Sequence, residues 1–284
     1  MKISVSSYSF SKLMEKGMTQ AECIKKAKEI GFDGIELCCI LPEEGYTEEE
    51  YAKYLKETAQ KENFPITNFV FGADLIKESD EEAEKEVERV KRQVDIAEIL
   101  GVKSLRHDAM HSAGRYRTFE KALKPVSGRC RKITEYAMGK GIKTMVENHG
   151  FFCQDADRVE RLVSEVNHPN FSLLLDIGNF LCADEMPELS VSRVAHLAGF
   201  VHVKDFHIKN ANEPDPGEGF FRSRSGNYLR GAILGQGNVS VLQCLGIVKK
   251  SGYDGYVSVE FEGVEDPLYA LPICLSNLRK YLEN

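Results

Sequence analysis

The chain has 284 residues, a formal net charge of −7 and a pI of about 5.6. This acidic balance disfavours a nucleic acid or an anionic membrane as a partner, and a hydrophobic fraction of 42% is ordinary for a globular protein. The amino-terminal segment lacks the apolar region of a signal peptide, and no apolar run could span a bilayer, so we predict a cytoplasmic protein with one domain over residues 1–284.

Short apolar runs alternate with amphipathic helical stretches along the chain. The first predicted strand covers 3–10, and the helix after it is capped by Thr19 and ends at Gly31. The next predicted strands cover 32–38, 66–72, 102–108, 142–150, 171–179, 199–207 and 255–263. The helices predicted to follow them lie at 47–63, 80–101, within 116–140, and at 155–166, 187–197, 240–252 and 267–282.

Junctions between these units recur as GFDG, GVKS, GIKT and GYDG, in which a glycine ends a helix and the next strand begins. Eight strand–helix units at a spacing of about 30 residues are typical of parallel strands joined by crossover helices. The pattern predicts an α/β protein with a (β/α)₈ TIM barrel. A doubly wound open sheet is the alternative, but the first turn, SSYSF, lacks the glycine fingerprint of a dinucleotide site.

The eight cysteines form no CxxC pair, although Cys38 and Cys39 are adjacent. Most of them lie in apolar or helical surroundings. This distribution is typical of reduced cysteines that act as small hydrophobic residues in a cytosolic protein.

Polar residues collect where the predicted strands end, which is the active-site face of a TIM barrel. In LLLDIGNF, three leucines lead directly to Asp176, although an Asp is also a common helix cap or turn residue. The other strand ends carry Glu36, His107, Asp108, Glu147, Asn148, His149, Asn179, His202, Lys204, Asp205, Glu260 and Glu262. A separate cap or ion pair would explain any one of them, but their coincidence at consecutive strand ends predicts a shared site.

Three of these carboxylates, Glu147, Asp176 and Glu260, would repel one another if they met without a counter-charge. A divalent cation removes this repulsion. Three oxygen ligands and one imidazole suit Mn²⁺, Mg²⁺ or Co²⁺, whereas Zn²⁺ usually prefers more nitrogen or sulfur. We therefore predict one divalent ion, with Mn²⁺ as the first choice.

The segments MVENHG, LLLDIGN, VHVKD, LGQG and GYDGYVSVEFEG occur in this order along the chain. With them, nearly the whole chain resembles the xylose isomerase-like TIM barrel superfamily of sugar phosphate isomerases and epimerases. The resemblance implies that Glu147, Asp176, His202 and Glu260 are the metal ligands. It also implies that Glu147 and Glu260 are the acid/base pair, as in the ketose 3-epimerases of that group.

Two positions depart from those epimerases, since Asn179 and Ile208 stand where they carry His and Arg. These departures weaken the case for ketose 3-epimerisation. Endonuclease IV, another member of the group, needs extra His ligands for three zinc ions. Asn179 again stands where one is needed, so together with the acidic net charge we disfavour DNA repair.

A metal-bound carbonyl and its neighbouring hydroxyl would acidify the adjacent C–H bond of a carbohydrate. Glu147 and Glu260 could remove and return that proton, which predicts an isomerase or epimerase of a sugar, sugar phosphate or keto-sugar. β-Elimination begins with the same proton, so a lyase or dehydratase acting on a keto-sugar, keto-glycoside or polyol is the alternative enzyme. A non-catalytic carbohydrate-binding subunit is the alternative of another class, against which the complete ligand set argues.

Further substrate contacts are predicted at Glu36, His107, His149, Asn179 and Lys204. Lys204 could instead form an ion pair with Glu260 or Asp205. His107 and His149 could instead hydrogen-bond to metal ligands without contacting the substrate.

A long loop over 209–237 follows the seventh strand and carries Arg222 and Arg224 among aromatic residues and glycines. Such a loop suits a substrate lid in which an arginine contacts an anionic group, or a contact within a homo-oligomer.

Overall fold

Eight parallel strands close into a barrel in the computed structural model, which describes residues 1–283. The described residues form eleven strands, three of which lie outside the barrel: β1 Lys2–Ser6, β2 Gly34–Cys38, β3 Ile66–Phe71, β4 Ser104–His107, β5 Lys143–Glu147, β6 Phe171–Asp176, β7 Ala198–Val203, β8 Asp205–Lys209, β9 Phe221–Arg222, β10 Tyr228–Ala232 and β11 Tyr256–Val259. The barrel runs in the order β1, β2, β3, β4, β5, β6, β7, β11 and back to β1. The predicted TIM barrel is therefore confirmed, while Asn284 of the predicted domain lies outside the described residues.

Helices follow the strands and cover the outside of the barrel. They are α1 Ser11–Met14, α2 Gln20–Ile30, α3 Glu48–Lys61, α4 Asp80–Leu100, α5 Phe119–Met138, α6 Ala156–Val166, α7 Pro187–Val194, α8 Val241–Lys250 and α9 Pro267–Glu283. Thr19 caps α2 in a reciprocal capping box, and Gly31 ends it in the left-handed conformation with a φ of 105°. Within residues 1–283, no helix is both long and apolar enough to cross a membrane.

A small apolar layer fills the barrel interior below the active-site face. It contains Val70, Met145, Leu174 and Phe200. Successive strand residues point to opposite faces, so the residue two positions after each of these also faces the interior. By this rule the inner face also carries Glu147, Asp176 and His202, which lie two positions after Met145, Leu174 and Phe200 and closer to the active-site face.

The segment predicted as a long loop over 209–237 contains strands, and in this respect the sequence-based prediction was wrong. β8 and β10 pair in antiparallel fashion, and β9 adds to the other edge of β10. We call this unit the hairpin sheet. The predicted seventh strand also divides, because β7 belongs to the barrel and β8, after Lys204, pairs with β10 instead.

One buried carboxylate organises the base of the hairpin sheet. Asp205 accepts hydrogen bonds from the backbone N–H groups of Phe206, Gly235, Gly237 and Val239 at 2.8–2.9 Å. A Cβ atom on Gly237 would lie only 2.3 Å from Asp205 Oδ1, so this turn can approach the carboxylate only with glycine. The LGQG segment is therefore shaped to wrap around Asp205.

We expect Asp205→Ala to destabilise the protein by about 2–4 kcal/mol, because four backbone donors lose their acceptor at a buried position. Asp205→Asn should cost less, since its amide oxygen still accepts. Urea unfolding measures the difference, and limited proteolysis within 210–227 reports whether the hairpin sheet has loosened. An unchanged unfolding midpoint for Asp205→Ala would contradict this role.

Candidate active site

Four side chains from consecutive barrel strands converge at the active-site face. Glu147 ends β5, Asp176 ends β6, His202 lies in β7 and Glu260 follows β11. One ligand atom from each lies within 4.8 Å of the others, and all four residues are buried. Within residues 1–283, His202 Nδ1 has no hydrogen-bond partner, and Asp176 Oδ2 accepts no hydrogen bond although it forms an ion pair with Lys204. Buried polar atoms without partners are uncommon, so this donor set fits a divalent cation.

The two carboxylate oxygens of Asp176 make different contacts. Oδ1 accepts from the N–H groups of Gly178 and Asn179 at 2.7 and 2.9 Å, which caps the short turn after β6. Asn148 fixes the backbone of Asp176 by one hydrogen bond to its carbonyl and one from its N–H. Burial raises the pKa of Asp176 to about 6. Asp176 is thus both a turn residue and a candidate ligand, and Oδ2 is the atom that faces the centre.

His202 is oriented from behind by Glu36. Its Nε2 lies 2.7 Å from Glu36 Oε1, which leaves Nδ1 at 3.9 Å from Asp176 Oδ2 and 3.7 Å from Glu260 Oε1. Burial alone would favour the neutral imidazole, but the carboxylates of Glu36 and Glu260 raise the pKa of His202 to about 10. Glu36 is therefore not free to contact a substrate, because its other carboxylate oxygen accepts a hydrogen bond from the side-chain amide of Asn68 at 3.1 Å.

Arg106 supplies a counter-charge that the sequence reasoning missed. Its Nη2 lies 2.5 Å from Glu147 Oε2, and its Nη1 lies 3.3 Å from Asp108 Oδ1. Alternation along SLRHD places Arg106 on one strand face with two other polar residues, Ser104 and Asp108. This polar face could have identified Arg106 from the sequence.

Lys204 supplies a second counter-charge. Its Nζ lies 3.1 Å from Asp176 Oδ2 and 3.3 Å from Glu262 Oε1, and it contacts Glu260. Burial opposes the ammonium form, but the surrounding carboxylates raise the pKa of Lys204 well above its usual range. Arg106 and Lys204 therefore supply counter-charge to the carboxylates, which still outnumber these two cations.

Asn179 contacts a candidate metal ligand, and His149 contacts Asp108. The Asn179 side-chain amide donates to Glu147 Oε1 at 2.9 Å. His149 lies beside Asp108, with its Nδ1 3.1 Å from Asp108 Oδ1, and this carboxylate outweighs burial and raises the pKa of His149. His107 is not brought to the mouth, because it lies on the face of β4 opposite Arg106, with its ring 6.4 Å from that of Phe171.

Two adjoining cavities lie at the active-site face, and two of the four candidate ligands line the first of them. The first has a volume of about 340 Å³ and is lined by residues that include Glu147, Glu260 and Arg106. The second has a volume of about 510 Å³ and extends below the hairpin sheet. Both are bordered by His149, Lys204 and Glu262, so the two cavities adjoin along these residues.

The two arginines of the hairpin sheet have different surroundings. Arg222 lines the second cavity and lies over the ring of Tyr228, with 3.6 Å between its guanidinium carbon and the ring centre. Arg224 donates to the carbonyl of Phe151 and lies 3.0 Å from Asp155 Oδ2. Arg222 is thus brought to the cavity, whereas Arg224 ties the hairpin sheet to the loop after β5.

A family model described as "Xylose isomerase-like TIM barrel" matches residues 24–278. The chain belongs to this family. An inosose dehydratase of Clostridium beijerinckii is 24% identical over 277 residues, covering 93% of the chain and 89% of the relative.

Two solved structures share the fold of this xylose isomerase-like barrel. The IOLI protein "with a binding zinc atom" has a TM-score of 0.78 and 18% identity, and the match covers 99% of the chain and 98% of that protein. A D-tagatose 3-epimerase-like protein has a TM-score of 0.70 and 21% identity over 100% of the chain and 97% of its own. The predicted superfamily is therefore confirmed. The prediction of an enzyme is confirmed as well, while the named relatives include both a dehydratase and an epimerase-like protein.

We expect the protein to bind about one divalent ion per chain when it is loaded with Mn²⁺ and dialysed, as measured by elemental mass spectrometry. Asp176→Asn and His202→Ala should lose most of the ion. Glu36→Gln should weaken binding about 10- to 100-fold, because it removes the carboxylate that orients His202. Glu262→Gln is the matched control from the same mouth and should retain the ion. Wild-type metal content in both Asp176→Asn and His202→Ala would rule out this centre.

Proposed function

We propose that the chain is a metal-dependent enzyme that removes a proton next to the carbonyl of a keto-sugar or cyclic keto-polyol and then eliminates water. The observation that carries the proposal is the cluster of Glu147, Asp176, His202 and Glu260. The sequence alone favoured an isomerase or epimerase, with a lyase second. The inosose dehydratases among the relatives shift our preference slightly towards the lyase, since an inosose is a cyclic polyol that carries a carbonyl.

A bound divalent ion would supply the charge that polarises the substrate carbonyl and acidifies the neighbouring C–H bond. We assign it to the four clustered side chains. Their oxygen-rich set favours Mn²⁺ or Mg²⁺ on chemical grounds, whereas the structurally similar IOLI protein was solved with a zinc atom.

The proton transfers are assigned to Glu147 and Glu260, which lie at the ends of two different strands and line the same cavity. Asn179 and Arg106 restrain the Glu147 carboxylate, which fixes its direction. Glu260 contacts the ammonium of Lys204.

Elimination also needs a donor for the departing hydroxyl. The ammonium of Lys204 is suitably placed, because it lies beside a candidate base and borders both cavities. Because Lys204 contacts Glu260, we infer that a base and a proton donor would lie on the same side of a bound substrate, which suits loss of a proton and a hydroxyl from one face.

Epimerisation or isomerisation of a keto-sugar is the second candidate. Two carboxylates that face one cavity would also allow a proton to be removed from one side and returned to the other. A non-catalytic carbohydrate-binding subunit is less well supported, since such a protein has no need for a buried ligand set.

A screen of inososes, ketoses, keto-sugars and glycosides with Mn²⁺-loaded protein separates the reactions. Elimination should produce an unsaturated carbonyl product that absorbs in the ultraviolet. Epimerisation or isomerisation in D₂O should instead place deuterium in a sugar product that has lost no water, as detected by NMR. Absence of metal-dependent turnover and of C–H exchange across the panel would contradict the proposal.

Glu147→Gln and Glu260→Gln should each lower kcat by at least about 100-fold, because each removes a group that exchanges a proton with the substrate. Both residues are also candidate ligands, so the metal content must be measured on the same samples. The control, Glu262→Gln, should lose far less activity. Turnover near the wild-type value in either glutamate variant removes that residue from the mechanism.

Substitutions of Arg222 and Arg224 test whether the hairpin sheet acts as a lid over the substrate. Arg222→Ala should raise KM for a substrate with an anionic group, because Arg222 lines the second cavity. Arg224→Ala should lower kcat or raise KM by releasing the tie to Phe151. The oligomeric mass of each variant is measured by light scattering and compared with that of the wild-type protein. Unchanged kinetics with an altered oligomeric mass in both variants would instead make the hairpin sheet a subunit contact.

A further inference from the structure

Three hydroxyl side chains lie on one side of the barrel, where bulky side chains would be expected. TIM barrel interiors are usually packed by branched apolar residues such as Val, Ile and Leu. In this chain, β1, β3 and β11 carry Ser4, Thr67 and Ser258, which we call the core hydroxyls. The strands β11, β1, β2 and β3 are consecutive around the barrel, so the core hydroxyls come from one part of its wall.

The core hydroxyls have no protein partner. Within residues 1–283, the hydroxyl oxygens of Ser4, Thr67 and Ser258 are shielded from solvent and form no hydrogen bond. Ser4 and Ser258 are each 0% exposed. Buried hydroxyl groups in native proteins nearly always bond to the protein or to ordered water, so three such groups in one barrel point to a ligand.

Ser4 and Ser258 face the barrel interior. The residues on either side of each serine belong to the large apolar cluster that packs the strands against the helices. Because successive strand residues point to opposite faces, Ser4 and Ser258 point inwards. Tyr256, two positions before Ser258, packs against the apolar layer inside the barrel and supports this orientation.

Ser4 and Ser258 are also side by side. They are register partners on the parallel strands β1 and β11. Neighbouring strands lie about 4.8 Å apart, and the two hydroxyls do not bond to each other. A single water molecule is small enough to lie between two such side chains and bond to both.

Gly34 brings Thr67 to the same place. Gly34 is the register partner of Ser4 on β2 and lies two positions before the inward-facing Glu36. A Cβ atom on Gly34 would lie only 2.5 Å from Thr67 Cγ2, so the side chain of Thr67 lies over Gly34. The register between β2 and β3 shifts at this point, which takes Thr67 out of the regular alternation.

The core hydroxyls adjoin the groups that orient His202. Ser258 is the register partner of His202 on β7. Behind His202, Glu36 accepts a hydrogen bond from Asn68, and the side-chain oxygen of Asn68 accepts one from Ser104 at 2.7 Å. Protein partners thus satisfy this neighbouring chain of buried polar groups, but they do not reach the core hydroxyls.

A buried water molecule typically makes two to four hydrogen bonds, which three hydroxyls can supply. Divalent cations need more oxygen ligands, some of them charged, so three neutral hydroxyls do not suit one. We propose that the core hydroxyls bind at least one ordered water molecule inside the barrel, shared by Ser4 and Ser258 with Thr67 as the third contact. This water completes the hydrogen bonding of the barrel core next to His202.

A crystal structure of the wild-type protein at a resolution that shows ordered water tests the site directly. Electron density for a water should lie within hydrogen-bonding distance of both Ser4 Oγ and Ser258 Oγ. In the Ser258→Ala variant this density should weaken or disappear. A wild-type structure without such density would overturn the proposal.

Urea unfolding provides a second test, because a hydrated and a dry site predict opposite signs. Ser4→Ala and Ser258→Ala should each lower the unfolding midpoint, since each removes a partner of the bound water. At a dry site, the same changes would remove an unsatisfied hydroxyl and leave the midpoint unchanged or raised. Midpoints that do not fall in either variant would therefore contradict a bound water.

The double variant tests whether the two serines share one water. Loss of stability in Ser4→Ala/Ser258→Ala should be smaller than the sum of the single losses, because the first substitution already weakens the shared contact. Ser127→Ala is the matched control, since Ser127 is a buried serine whose hydroxyl donates to the carbonyl of Lys124 at 3.0 Å. Combined with Ser4→Ala, it should give an additive loss.

Strict additivity for Ser4 and Ser258 would overturn the shared water. Circular dichroism confirms that each variant is folded before its midpoint is compared. Neither the substrate nor the divalent ion enters these measurements, so their outcome is independent of the proposed function.

Discussion

The buried hydrogen bond between His202 and Glu36 is the contact on which the geometry of the candidate metal centre depends. It joins β7 to β2 across the barrel and directs His202 Nδ1 towards Asp176 and Glu260. Glu36 is in turn held by Asn68, so the orientation is supported from a third strand. A ring free to rotate would present either nitrogen to the mouth, whereas this arrangement presents one.

Electrostatic balance is the second constraint on the mouth. The clustered carboxylates are stable in a buried position only because Arg106 and Lys204 lie among them, and a divalent ion would compensate the remaining negative charge. The same two cations also border the space available to a substrate. Charges that allow the site to fold are therefore also placed to act on a bound carbonyl or hydroxyl.

Most of the fold was predictable because its elements are encoded by short-range patterns. Capping residues such as Thr19 and terminal glycines such as Gly31 act within a single turn, and the observed helix α2 lies between them. The hairpin sheet was missed because β8 and β10 are far apart in the sequence, with Asp205 opposite Ala232. No local periodicity marks such a pairing when glycines and prolines separate the strands.

The sequence by itself determined the barrel and the positions of Glu147, Asp176 and His202 at its active-site face, because strand alternation fixes which side chains point inwards. The tertiary structure decided which atoms meet. It placed Arg106 rather than His107 in the mouth, and it placed Glu36, 166 residues from His202 in the chain, behind the imidazole. The reason is physical: a residue's face is set by its immediate neighbours, whereas its partner is set by barrel closure, which joins strands from distant parts of the sequence.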